Sequence, residues 1–248
     1  MQYMSSEFFL LFLIALFAIG AVAIYIISRK KEKPGKIGAW KKFFVYFFVI
    51  YSIFLSILYV PVLFRAICFF VALGGSFEIL RLQLKSQKQL AWSRFCFYFS
   101  IYIAWAVLFL FFAFESAEIQ ILTVFTVGMF DAFSQLSGQL FGKRKIAPRI
   151  SPNKTLGGLV GGACSALIFG IIANFYLGFE IIDVIILILF VVVASFTGDL
   201  LASYVKRQYA VKDYSSLIPE HGGILDRFDS LIVAGAVMFL LKFIWLWI

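Results

Sequence analysis

Residues 181–229, IIDVIILILFVVVASFTGDLLASYVKRQYAVKDYSSLIPEHGGILDRFD, set the terms for the whole chain. Residues 181–200 form an apolar run of the length that one bilayer crossing needs. From 195 onward the run gives way to Asp199, Lys206, Arg207, Lys212, Asp213, His221, Asp226, Arg227 and Asp229, and His221 is the single histidine of the chain. Titratable groups set this densely at the end of a membrane-length helix are where chemistry is expected.

Working outward, composition identifies the solvent. Of 248 residues, 63% are hydrophobic and 14% charged, and the mean hydropathy is +0.99. That is too little polar surface to coat a water-soluble globule. Further apolar runs cover residues 8–27, 43–60, 62–80, 95–113, 117–137, 155–176 and 228–247. The expectation is an all-α integral membrane protein, a polytopic bundle of about eight transmembrane helices that forms one domain over residues 1–248. Ala21-Val22-Ala23 resembles a signal-peptidase site, but Arg29, Lys30 and Lys31 follow the first run and no basic segment precedes it, so it reads as a retained anchor. Cys68, Cys96 and Cys164 are far apart in apolar surroundings, which speaks against a disulfide framework or a CxxC metal site.

Charge supplies an independent check. Basic residues cluster at 29–42, 81–94, 143–154 and 206–227, and alternating the spans puts 20 of the 22 on one side, leaving only Arg65 and Lys242. By the positive-inside rule that side is the cytoplasm. Glu7, Glu115, Glu118 and Glu180 fall on the opposite face, with both termini. The net charge of +9 is thereby concentrated where it can attract anionic lipid headgroups or nucleotide phosphates. Secretion, nucleic-acid binding and a soluble role are disfavoured.

If the helix of 181–200 continues past the membrane surface, Asp199, Ser203 and Lys206 fall on one face, and Asp226 and Asp229 share a face if the last helix begins there. Between them, Gly222 and Gly223 permit backbone conformations closed to other residues and close approach to a ligand. Carboxylates on two helices, flanked by Lys and Arg, can hold a hard cation such as Mg²⁺ while the basic groups take phosphate. The alternative is a set of salt bridges that fastens a cytoplasmic loop.

The span 117–137 holds Gln120, Thr123, Thr126, Asp131, Ser134 and Gln135, which is polar for a lipid-facing helix, so it is expected to line a protein interior or a cavity. Asp131 is then either a functional group or a hydrated boundary residue, and Glu78 reads as interfacial. Lys154 and Thr155 stand at the start of a helix rich in glycine, where free N–H groups and the dipole favour phosphate. Gly161 and Gly162 suit plain helix packing.

Ser203, Lys206-Arg207, Lys212-Asp213, Ser215, Ile218-Pro219, His221-Gly222-Gly223-Ile224 and Asp226-Arg227-Phe228-Asp229 together resemble the signature of the phosphatidate cytidylyltransferases, or CDP-diacylglycerol synthases. Ser151-Pro152-x-Lys154-Thr155, and Asp131 followed by Phe141-Gly142-Lys143, are similar to two further motifs of that family. The resemblance is strong over residues 131–230; residues 1–114 match only in character, and 115–248 carries the motif-bearing spans and loops. It implies transfer of a cytidylyl group from CTP to phosphatidate, giving CDP-diacylglycerol and pyrophosphate, with Mg²⁺ required and a second cation left open. By similarity Asp199 and Asp226 are metal ligands and, with Lys206 and Asp229, the catalytic set. Lys154, Thr155, Ser203, Arg207, Lys212, Asp213, His221, Gly222, Gly223, Arg227 and Asp131 are the substrate-binding set. CTP, phosphatidate and membrane lipids are the implied partners, a homodimer is left open, and the implied location is a bacterial cell membrane with the active-site loops in the cytoplasm.

The chain departs from the pattern in three places. Leu156 and Gly157 stand where the family usually has an aromatic residue and Glu, Ser134-Gln135-Leu136 replaces a small-aromatic run, and Glu220 occupies a common Gly position. The departures bear on the lipid substrate and on activity. A divergent relative that acts on another lipid phosphate or is catalytically impaired, or a membrane transporter, are the alternatives.

Overall fold

Long apolar runs can cross a bilayer only in a form that satisfies every backbone amide internally, which means helices or closed barrels. In the computed structural model, which describes residues 6–28, 33–86, 88–217 and 222–245, the runs are helical. In chain order the elements are α1 (Ser6–Ser28), α2 (Lys33–Tyr59), α3 (Pro61–Lys85), α4 (Trp92–Phe112), α5 (Ala117–Phe141), β1 (Lys145–Ala147), β2 (Ser151–Thr155), α6 (Leu156–Leu177), α7 (Ile181–Gln208) and α8 (Leu225–Trp245). The helices α3 to α7 are each long and apolar enough to cross a membrane, and α1 and α2 contain the shorter apolar stretches Phe9–Val22 and Phe43–Tyr59. The outward faces are apolar as well, with Val62, Phe70 and Phe175 each at least 68% exposed, a surface that a bilayer covers and water does not. The protein is an all-α, polytopic membrane protein. His221 and the basic residues 29–31 lie outside the described residues.

The expected loop at 138–154 proves to contain a hairpin. β1 and β2 pair antiparallel, Lys145 opposite Thr155 and Ala147 opposite Ser151, with an irregularity between. The turn around Pro148 is closed by the Ile150 N–H, which donates to the Ala147 carbonyl at 3.1 Å. The hairpin leads straight into α6, where Thr155 is the N-cap and its hydroxyl accepts from the Gly158 N–H at 3.1 Å. Periodicity alone cannot find so short a ladder.

The polar span is buried as expected over its first half, while Asp131 and Gln135 are exposed. In α5, Gln120, Thr123 and Thr126 are all buried, and the helix packs on α6, α7, α8 and α2. Gln120 donates to the Ala113 and Glu115 carbonyls at 3.1 and 3.0 Å, fastening the end of α4. Phe9, Phe54, Phe125 and Tyr176 fill the junction of α1, α2, α5 and α6, with ring centroids 5.0 to 6.1 Å from Phe9.

The seam between α5 and α6 depends on missing side chains, as read for Gly161 and Gly162. A Cβ on Gly162 would meet the Phe130 carbonyl oxygen at 2.8 Å, and one on Gly161 would overlap Ser137. Small residues let two membrane helices approach backbone to backbone. Gly162→Val is therefore expected to destabilise the protein by about 1–3 kcal/mol, lowering the melting midpoint in detergent. An unchanged midpoint would show that the seam can open without loss.

The two ends of the bundle differ in kind. At one end the last turn of α3, the hairpin and the chain after α7 meet: the Tyr209 hydroxyl donates to Gln83 Oε1 at 2.8 Å, and Arg207 Nε donates to the Ile150 carbonyl at 3.1 Å. At the other, Lys242 pairs with Glu115 at 3.1 Å. The basic stretches at 81–94, 143–154 and 206–227 thus share one end, as alternating spans require.

Candidate active site

The site is framed by α7 and α8, which touch where a Cβ on Gly198 would lie 3.0 Å from the Asp229 carbonyl oxygen. Two turns beyond Asp199, Lys206 reaches across to α8, and its Nζ is 2.7 Å from Asp226 Oδ1. Asp226 Oδ2 accepts from the backbone N–H groups of Tyr214 and Gly223, both at 2.8 Å. Every part of this carboxylate is engaged, and its side chain is only 3% exposed. Gly222 adopts φ 83°, and a Cβ there would stand 2.9 Å from Asp226 Oδ2. The left-handed backbone and the crowding both demand glycine at that position.

Tyr214 completes this corner. Its ring lies under Lys206, 5.2 Å from Nζ to centroid, and its hydroxyl donates to the Ala202 carbonyl at 3.1 Å. Burial, followed by the Asp229 and Asp226 carboxylates, pushes its phenol well above the ordinary value, so it stays a neutral donor.

A second pair lies about two turns back along the same face of α7. Lys154, the penultimate residue of β2, places Nζ 2.7 Å from Asp199 Oδ2. The same ammonium is 3.4 Å from the Phe196 carbonyl oxygen and 4.5 Å from the Phe196 ring centroid. Asp199 Oδ1 accepts from the Ser203 hydroxyl at 3.2 Å, the i, i+4 contact expected on one helical face. This pair is more open than the first, with the lysine side chain 16% and the carboxylate 36% exposed. Asp131 is exposed and lies within electrostatic reach of Asp199, Lys154 and Arg227. Asp229, buried one turn into α8, is within reach of Asp199, Lys206 and Asp131. The site therefore alternates in sign: Lys154 and Lys206 are interleaved with Asp131, Asp199, Asp226 and Asp229.

The structure thus gathers Asp131, Lys154, Thr155, Asp199, Ser203, Lys206, Gly222, Gly223, Asp226, Arg227 and Asp229 about the α6 N-terminus and the α7–α8 junction. Thr155 is occupied as a helix cap. Arg207 is exposed but committed to the chain: its Nε holds the hairpin turn at Ile150, and Nη1 donates to the Val211 carbonyl at 2.7 Å. Lys212 and Asp213 are exposed on the loop after α7. Among the described residues, no three His, Cys, Asp or Glu side chains converge closely enough to hold a metal by themselves.

One residue is placed differently from its sequence reading. Glu78, expected to be an interfacial residue, is fully buried. It accepts from the Ser215 hydroxyl at 2.6 Å and from the Ile224 and Leu225 N–H groups at 2.9 Å each. The position of Glu78 near the end of an apolar run points to the boundary; the donors that make burial possible come from residues 137 to 147 positions away and cannot be seen along α3. The signal available was a lone carboxylate inside a membrane-length run, which marks function or structure by default.

Known proteins are similar in sequence to this chain. A sequence model of the cytidylyltransferase family matches residues 1–245. The chain is 38% identical over 120 residues to the phosphatidate cytidylyltransferase of Rickettsia felis, covering 45% of this chain and 53% of that protein. It is 41% identical over 111 residues to the protein of the same name from Brucella abortus, covering 44% and 41%. To that from Staphylococcus saprophyticus it is 42% identical over 108 residues, covering 43% and 42%. The chain spans about half the length of the curated relatives it matches. The resemblance carried by residues 203–229 is borne out at the level of the family. With the match running nearly end to end through both lysine–carboxylate pairs, the chain belongs to the cytidylyltransferase family.

Proposed function

We propose that the protein transfers the cytidylyl group of CTP to phosphatidate, giving CDP-diacylglycerol and pyrophosphate, at the cytoplasmic face of a bacterial cell membrane. The observation that carries this reading is the two lysine–carboxylate pairs, Lys154–Asp199 and Lys206–Asp226, brought to one end of a membrane bundle. Relatives named phosphatidate cytidylyltransferase support it.

In the reaction a phosphate oxygen of phosphatidate attacks the α-phosphorus of CTP, and the bond from that phosphorus to the β-phosphate oxygen breaks. The nucleophile is already an anion, so no side chain has to remove a proton. The work is to hold two mutually repelling anions in line and to take up the charge of the leaving pyrophosphate. Lys154 and Lys206 are suited to this because each is held in place by a carboxylate and can exchange that partner for a phosphate. Lys212 is exposed on its loop and meets the nucleotide from the aqueous side. Arg207, by tying the hairpin to α7, keeps Lys154 in position.

The donor set fits a hard divalent ion. Mg²⁺ takes oxygen ligands and is commonly held by one or two carboxylates together with substrate phosphates and water, so two aspartates suffice where three protein ligands do not converge. Asp199, partly open, would hold it together with Asp226, which would give up Lys206 to do so, and Asp229 lies close by. When bound, the ion supplies Lewis-acid neutralisation of the nucleotide phosphates.

One observation keeps a second acceptor in view. A Cβ on Gly157 would lie 3.0 Å from the Phe141 carbonyl oxygen, a tight contact where the family usually carries Glu, and with that carboxylate missing an acceptor other than phosphatidate is the second reading.

The purified chain in mixed micelles, given CTP, dCTP or ATP with phosphatidate or another lipid phosphate, tests both readings. Pyrophosphate release is expected with CTP and phosphatidate, lost on chelation and restored by Mg²⁺. Release with another lipid phosphate alone would establish the second reading. No release with any nucleotide, together with solute uptake into proteoliposomes, would overturn both in favour of transport.

A further inference from the structure

We infer that Glu78 is a positioning residue for the reaction: from α3 it clamps the loop and the N-terminus of α8 that set Asp226 and Asp229. The inference rests on the function proposed above.

A helix leaves its first N–H groups without intrahelical partners, and a side-chain acceptor normally supplied by the residue just before the helix satisfies one of them. At α8 the acceptor comes from a different helix. Glu78 Oε1 takes the Ile224 N–H and the Ser215 hydroxyl, and Oε2 takes the Leu225 N–H. A buried carboxylate is tolerated when it accepts several hydrogen bonds and faces the positive end of a helix dipole, and Glu78 has both.

The surroundings are built for this contact. A Cβ on Gly74 would lie 2.8 Å from Ile224, and one on Gly75 would lie 3.2 Å from Leu225 Cδ1, so α3 approaches the start of α8 where it carries no side chains. A Cβ on Gly223 would press against both oxygens of Glu78. The two glycines of the loop thus serve two carboxylates: Gly222 makes room for Asp226 and Gly223 for Glu78. Asp226 follows Leu225 directly, and its own Oδ2 holds Gly223 and Tyr214. Releasing Glu78 frees Ser215, Ile224 and Leu225 together, and with them the frame that aims Asp226 at Lys206. Glu78 touches no reacting group, so it acts through these residues.

The test compares Glu78→Ala and Glu78→Gln in the full chain. In Glu78→Ala, kcat for pyrophosphate release is expected to fall about 10²-fold, the loss typical of small misplacements in a site. KM for CTP stays within about threefold, because the phosphate-binding lysines are not removed. Glu78→Gln keeps the shape and one acceptor oxygen and recovers part of kcat. Hydrogen exchange over residues 222–230 is faster in both variants than in the wild type. Wild-type kcat in Glu78→Ala, a change confined to KM, or unchanged exchange over 222–230 would overturn the assignment. If Glu78→Ala does not fold, Glu78→Gln alone decides by the same readouts. A wild-type chain with no cytidylyl transfer would sink the proposed function instead, and the exchange measurement would still judge the clamp.

Discussion

Asp226→Asn is expected to lower pyrophosphate release from CTP and phosphatidate by about 10²–10³-fold or more, the scale at which a group supporting transition-state charge is lost. The structure adds a second expectation that the sequence did not contain. Lys206 is buried against Asp226, with side-chain exposures of 10% and 3%, and removing one partner of such a pair leaves an uncompensated buried charge, costing about 3–5 kcal/mol. Asn retains an acceptor for the Tyr214 and Gly223 N–H groups, so the variant is expected to fold in detergent with a lowered melting midpoint. Lys206→Met combined with Asp226→Asn separates the two effects. With both charges removed and the acceptor for the Tyr214 and Gly223 N–H groups kept, stability is restored while activity stays lost. Activity retained in Asp226→Asn would remove Asp226 from the reaction and leave it as a loop anchor.

Asp199→Asn is expected to produce a similar loss of activity, again about 10²–10³-fold, with almost no loss of stability. The partners of the Lys154–Asp199 pair are 16% and 36% exposed, and ion pairs open to water contribute about 0–1 kcal/mol. Lys154 also keeps its contacts with the Phe196 carbonyl and ring after the substitution. The two aspartates therefore make a matched comparison: both silence the reaction, and only the buried one lowers the melting midpoint. A large destabilisation by Asp199→Asn would mean that the pair fastens the hairpin to α7 rather than waiting for phosphate.

Much of the site was legible because its chemistry is packed into short segments. Asp199, Ser203 and Lys206 recur at helical spacing, and α7 does run on to Gln208, which puts Ser203 against Asp199 as read. The first turn of α8 does hold Asp226. The polar face of α5 signalled burial before any contact was known. What spacing along a helix cannot give is the choice among partners. Lys206 turns to Asp226 rather than along its own helix to Asp199, because α8 crosses α7 there and offers a carboxylate in a dry corner beside Tyr214.

By itself the amino-acid sequence determined the solvent, the helical character of the spans, the gathering of basic loops at one end and the family, since each rests on composition or on residues close in the chain. Only the tertiary structure decided which acid meets which base, that a hairpin carries Lys154 into the site, and that Glu78 of α3 caps α8. Those contacts join residues 20 to 147 positions apart, and a buried charge reveals its purpose only through the donors that surround it.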